Sequence, residues 1–127
     1  MYIYHISETE IKFSNGKNIF ELTYEHEQDC CEEVYADFES ISKRILNKKG
    51  QDVSIYTIDF NEEIETLVEE VKDQGFMLCA KDGTKVLVNC YDIQNGWYNS
   101  DLAIILYKAE KIGTLDLNQQ SIIHEDR

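Results

Sequence analysis

An Asn-Gly pair set between two alternating segments constrains this chain more than any other feature. Ile11-Lys12-Phe13 and the run 18–24 alternate apolar and polar side chains, and Ser14-Asn15-Gly16-Lys17 separates them. Asn-Gly readily takes the positive φ of a tight turn, so the sequence predicts an antiparallel hairpin here. A second pair, Asp82-Gly83, stands between 76–80 and 85–91 and predicts a two-residue hairpin. Proline is absent throughout, which leaves Gly, Asn and Asp to end the elements.

Between the hairpins the pattern changes period. Val34, Phe38, Ile41 and Ile45 recur at steps of four, three and four, which predicts a helix ending near Gly50. Residues 53–60 read as a strand. A second helix follows, its stripe formed by Ile64, Leu67, Val68 and Val71 and its end marked by Gly75. Asn95-Gly96 predicts a further turn, and 102–107 a last apolar strand. The order predicts an α+β fold: a single domain over 1–113, a mostly antiparallel sheet with two helices, and a loose polar tail over 114–127.

Charge narrows the partners. The chain carries 25 Asp and Glu against 12 Lys and Arg, a formal net charge of −13. A nucleic acid would be repelled, so basic partners are expected. Two segments concentrate the acid: eight carboxylates and no Lys or Arg over 21–39, and six over 61–73 against Lys72 alone. The six are Glu62, Glu63, Glu65, Glu69, Glu70 and Asp73. On a helix they would fall about 3.3 Å apart along the axis, close to the phosphate spacing of one DNA strand, about 3.4 Å. They are the expected partner-binding residues, with a solvated acidic face as the plain alternative. No stretch reaches 18 apolar residues, and the start lacks a basic and apolar leader pattern. A cytoplasmic location in a reducing compartment is therefore expected.

The densest chemistry is His26-Glu27-Gln28-Asp29-Cys30-Cys31-Glu32. His26 and Cys30 are four apart and would share one face of a helical turn, and imidazole with thiolate suits zinc. An irregular turn brings in Cys31. A closed site needs a fourth ligand from elsewhere: Cys90 is the first candidate, with Cys79 and His5 as others. With a two-residue turn at Asp82-Gly83, Cys79 faces Val86 and Cys90 faces Gly75. That places both on one sheet face about 13 Å apart, too far to share an ion. Buried thiols acting as small apolar residues are the alternative for these two. His26-Glu27-Gln28-Asp29-Cys30 also resembles the zincin helix motif with Cys in the second His position, which leaves a zinc hydrolase with Glu27 as base as another reading. The thiolate and its vicinal cysteine favour a closed structural zinc over an open catalytic one, so no enzyme is expected.

The stretch 11–39, with its Ser-Asn-Gly hairpin running into the His-x-Gln-Asp-Cys-Cys-Glu segment, resembles a family of small phage and bacterial proteins of unknown function. Asn95-Gly96-Trp97-Tyr98-Asn99-Ser100 is similar to the same family's Asn-Gly-aromatic-Tyr element. The chain as a whole resembles the type II-A anti-CRISPR proteins of streptococcal phages and prophages. That resemblance implies a small non-enzymatic inhibitor whose partner is a type II RNA-guided CRISPR nuclease of the bacterial host, with a phage regulator of another basic host protein as the alternative. Such nucleases hold their heteroduplex in a basic channel, which ordered carboxylates can occupy against DNA.

Overall fold

The first hairpin forms where Asn-Gly predicts it. In a computed structural model, which describes residues 1–26, 32–94 and 101–126, strand β1 (Tyr2–Ile6) pairs with β2 (Glu10–Ser14), and β2 with β3 (Ile19–Glu25). Asn15 Oδ1 accepts the N–H groups of Lys17 and Asn18, and Gly16 sits at φ +88°. Alternation turns Ile11, Phe13, Phe20 and Leu22 inward, where all four are buried.

The segment 32–49 corrects the first predicted helix. It forms strand β4 (Glu32–Ala36), a turn region, and strand β5 (Arg44–Leu46), which pairs with β6 (Asp52–Ser54). Val34, Phe38 and Ile41 are buried as their spacing requires, but Ala36 is buried too. Val34 and Ala36 together make the two-residue period of a strand. Pairing along β9 (Lys85–Gln94) then outweighs a helical preference that is weak to begin with. Gly50 ends no helix; its N–H donates to Asn47 O in the turn between β5 and β6.

The second predicted helix shrinks to one turn, α1 (Ile64–Leu67), which passes directly into strand β7 (Val68–Val71). Val68 sits opposite Leu78 of β8 (Gly75–Cys79), so the apolar stripe read as helical is divided between a turn and an edge strand. The predicted strand over 53–60 is likewise only β6, followed by a 3₁₀ turn (Ile55–Thr57) and an isolated bridge from Phe60 to Ala80. The Asp82-Gly83 hairpin forms with a longer loop than predicted. Ala80 N–H donates to Thr84 O, leaving residues 81–83 as the loop, and Cys79 lies opposite Lys85.

The last apolar strand is β10 (Leu102–Lys108), and it is followed by β11 (Glu110–Leu117). The predicted tail boundary at 114 therefore falls inside a strand. Beyond a second 3₁₀ turn (Gln119–Ser121), β12 (Ile123–Asp126) pairs in parallel with β9, with His124 opposite Asp92.

Among the described residues the result is a single, mostly antiparallel β domain of two five-stranded sheets and the β5–β6 pair, with one short helix. One sheet has the order β1-β2-β3-β10-β11; the other runs β12-β9-β8-β7, with β4 also on β9. The buried faces of both contribute to one hydrophobic cluster, in which Phe13 and Phe60 meet edge to face at 5.8 Å. Among the described residues no helix is long and apolar enough to cross a membrane. Glu27, Cys30 and Cys31, the Asn95-Gly96 turn, and Trp97 and Tyr98 lie outside the described residues.

Candidate functional site

Two chain crossings from sheet to sheet define one end of the molecule. β3 ends with Glu25 opposite Ala103 of β10, and β4 begins with Glu32 opposite Gln94 of β9. The described ends that flank 27–31 and 95–100 are thus strand-paired, Glu25 with Ala103 and Glu32 with Gln94. His26 stands there with its side chain 5% exposed. Its Nδ1 is 2.8 Å from Asp101 O and 3.3 Å from Asp101 Oδ1. Nδ1–H donates to that carbonyl, which leaves Nε2 as the ring's other nitrogen. An outer acceptor that sets the tautomer in this way is what orients a metal-binding imidazole.

The proposed fourth ligands are spread apart. Cys90 lies on the core face of β9 opposite Ala36 and is 0% exposed. Burial pushes its thiol far above the ordinary range, and the nearby Asp37 carboxylate adds to the shift. Cys79 sits opposite Lys85, and Cys90 lies five positions on from Lys85 along one strand, an odd step, so the two cysteines point to opposite faces of their sheet. This corrects the expectation of a shared face: the three-residue loop shifts the register by one and reverses the side. Cys79 Sγ donates to Glu69 Oε2 at 3.7 Å, and burial followed by the Glu69 charge raises its thiol. His5 is exposed on β1, two strands removed from β3. Among the described residues no three His, Cys, Asp or Glu side chains converge on a metal position.

The six expected partner-binding acids do not form a straight line, because one helical turn followed by a strand cannot hold a single helical face. Glu62 is engaged internally: Oε1 accepts from Asn15 Nδ2 at 3.0 Å, and Oε2 is 3.5 Å from Lys81 Nζ. Glu69 Oε2 is 2.8 Å from Lys85 Nζ, and this bond holds its carboxyl below the usual range. Glu70 Oε1 accepts the Asn118 N–H at 2.6 Å. Glu63, Glu65 and Asp73 are exposed and form no ion pair among the described residues. Asp73 occupies a left-handed turn at φ +62°, held by its N–H donating to Gln120 O.

The fold also assembles groups that the linear pattern does not reveal. A cleft of about 440 Å³ separates β4 from the end of β3, and it is lined by Glu8, Glu33, Asp37 and Glu39 around Tyr24. Burial raises the Tyr24 phenol, and the charges of Glu8, Glu33 and Asp37 raise it further. Three of these carboxylates belong to the acidic run 21–39, but Glu8 comes from the β1–β2 turn, which no sequence period connects to them. On β9, the fully buried Asp92 carboxylate lies 3.2 Å from His124 Nδ1, while His124 Nε2 is 3.0 Å from Gln119 O. Only the parallel docking of β12 brings these together.

Comparison of the chain with protein-family models, with curated proteins and with solved structures finds no match.

Proposed function

We propose that this chain is a non-enzymatic inhibitor of a type II RNA-guided CRISPR nuclease, acting in the bacterial host cytoplasm, which sets carboxylates against the nuclease's cationic nucleic-acid channel and blocks target DNA loading. The observation that carries this reading is the exposed acidic surface at α1 and β7. There Glu63, Glu65 and Asp73 have no cation partner among the described residues, in a chain of net charge −13. Carboxylates without an internal partner keep their full Coulomb attraction for Lys and Arg on another molecule, whereas Glu62 and Glu69 have part of theirs neutralised by Lys81 and Lys85.

A structural zinc belongs to the same proposal. His26, Cys30 and Cys31 are three of its ligands, and the Asp101 hydrogen bond to Nδ1 supports an Nε2 ligand at His26. Cys90 serves packing instead, with its side chain sealed on the core face of β9 opposite Ala36. The zinc clamps the crossing between the two sheets and takes no part in chemistry.

The test is DNA capture by the purified guide-loaded nuclease with and without the chain, repeated with the double variant Glu63→Lys/Glu65→Lys. Both positions are exposed, so the fold should survive. The expected result is that the native chain prevents DNA capture, that the variant does so at least tenfold less well, and that inhibition weakens with added salt. Unimpaired DNA capture at excess chain would overturn the reading.

A further inference from the structure

The two sheets have unlike outer faces. In the sheet β1-β2-β3-β10-β11 the register sets Lys12 beside Glu21 and Glu10 beside Thr23 on the side away from the core, the polar face that a strand shows to water. In the other sheet the registers Met77–Leu87, Tyr35–Tyr91 and Ile123–Tyr91 carry Val71, Met77, Leu87, Tyr91, Tyr35 and Ile123 to the side away from Val88 and Cys90, with Asn89 as a polar exception. All six are half-buried, and among the described residues none joins the hydrophobic cluster between the sheets or packs against it. The run Val86-Leu87-Val88 on β9 is apolar on both sides, which is the pattern of a strand covered on both faces. The margin of this face is acidic. Glu33 and Glu125 flank Ile93, and Glu69 lies beside Met77. Among the described residues the one cation that these strands place here, Lys85, is bound to Glu69. Burial raises the Tyr35 phenol, and Asp37, Glu33 and Glu125 raise it further, so the field over the Tyr35–Tyr91 pair is negative.

We propose that this face is the apolar half of the contact with the nuclease, and that it takes a protein surface of that enzyme that is apolar at its centre and edged with Lys or Arg. The proposal rests on the nuclease reading and names the part of the contact that carboxylates cannot supply. An exposed ion pair improves affinity about fivefold at most, so Glu63, Glu65 and Asp73 together give about a hundredfold, whereas a micromolar complex needs a factor of about a million. Apolar burial has to provide the rest. This face is placed to do so: β7, with Glu69 and Val71, follows directly from α1, which carries Glu65. Its centre holds the tyrosine pair, with ring centroids 5.4 Å apart, and Met77, side-chain types that interfaces favour. The acidic margin then selects cations at the edge of the occupant. A second copy of this chain fits poorly. Four strands about 4.8 Å apart, with about 17 Å of strand, make a face of roughly 300 Å², the size of a functional patch on a monomer but well under the roughly 800 Å² per partner of a stable pair. Two copies would also bring their acidic margins together.

The experiment uses the full chain and the guide-loaded nuclease, and reads methionine oxidation by hydrogen peroxide with mass spectrometry. Met77 lies on this face, while Met1 is 1% exposed in the core and serves as the internal reference. In the complex Met77 should oxidise about tenfold more slowly than in the free chain, with Met1 unchanged. A second arm measures affinity for the double variant Leu87→Thr/Tyr91→Thr, which keeps every charge and the strand preference. It should bind about tenfold more weakly with the native salt dependence, whereas Glu63→Lys/Glu65→Lys should flatten that dependence. Equal oxidation of Met77 in free and bound chain would overturn the proposal and leave the nuclease reading standing, as would a folded double variant that binds like the native chain. If the double variant does not fold, the oxidation rates decide. A native chain that does not bind the nuclease ends both readings. Protection of Met77 in the chain alone as its concentration rises would overturn the proposal in favour of self-association.

Discussion

Replacing Cys90 with alanine separates a core residue from a metal ligand. The side chain is 0% exposed and shares the core face of β9 with Val86 and Val88, both also buried, opposite Ala36. Removing a sulfur of roughly methylene size from such a site costs a transfer contribution near 0.8 kcal/mol plus part of a cavity contribution, about 1–2 kcal/mol in all. For a chain of this length that corresponds to a fall in Tm of about 3–8 °C. A serine there should cost more, because it also buries a hydroxyl. The assay is urea unfolding alongside elemental analysis of the same purified samples. Cys90→Ala is expected to lose stability by this amount while holding the same metal per chain as the native protein, and Cys30→Ser is expected to lose metal. If Cys90→Ala folds with unchanged stability but loses its metal, the assignment of Cys90 to packing is wrong.

Two further predictions concern the scaffold. Gly75 is at φ +142°, and a Cβ there would lie 2.2 Å from Val88 O and 2.8 Å from Cys90 N, main-chain atoms that cannot rotate aside. Gly75→Ala should therefore cost about 3 kcal/mol or more, read as a lowered urea midpoint; a loss under 1 kcal/mol would mean that the β8–β9 contact is misdescribed. Asp59 accepts a 2.7 Å bond from the Met1 ammonium, and that bond, helped by Lys81, holds its carboxyl below the ordinary 3.8. A depressed carboxylate stabilises the fold fully above its unfolded value and loses that contribution as pH falls through the folded value. The stability gap between the native chain and Asp59→Asn should thus be present at pH 7 and close below about pH 4. A gap that stays constant down to pH 2 would refute it.

The hairpins are legible in the sequence because their cause is local. Asn15 bonds the N–H groups two and three residues on, and Gly16 supplies the left-handed turn, so neighbours in the chain suffice. The helices misread because apolar spacing marks which residues are buried without saying by what backbone. Val34, Phe38 and Ile41 are buried as predicted, yet the partner of β4 is β9, more than 50 residues away. The same holds at Val68, whose neighbour Leu78 is supplied by β8. Of the candidate site, the acidic character of 21–39 and 61–73 was readable. Which acids are internally neutralised was not, since Lys81 and Lys85 arrive from the loop and strand after β8.

By itself, then, the sequence determined the sign and local density of charge, the first hairpin, the position of the second, and the buried identity of most apolar residues, because composition and nearest neighbours dictate these. Tertiary structure decided strand register, and register decided the rest. One extra loop residue before Thr84 sends Cys79 and Cys90 to opposite faces. The parallel return of β12 sets His124 against Asp92, and the position of β4 beside the β1–β2 turn gathers Glu8 with Glu33, Asp37 and Glu39. Side chains on a strand change face at every residue, so a single step in pairing reassigns every one of them. That step is set by packing between segments distant in the chain, which no local pattern records.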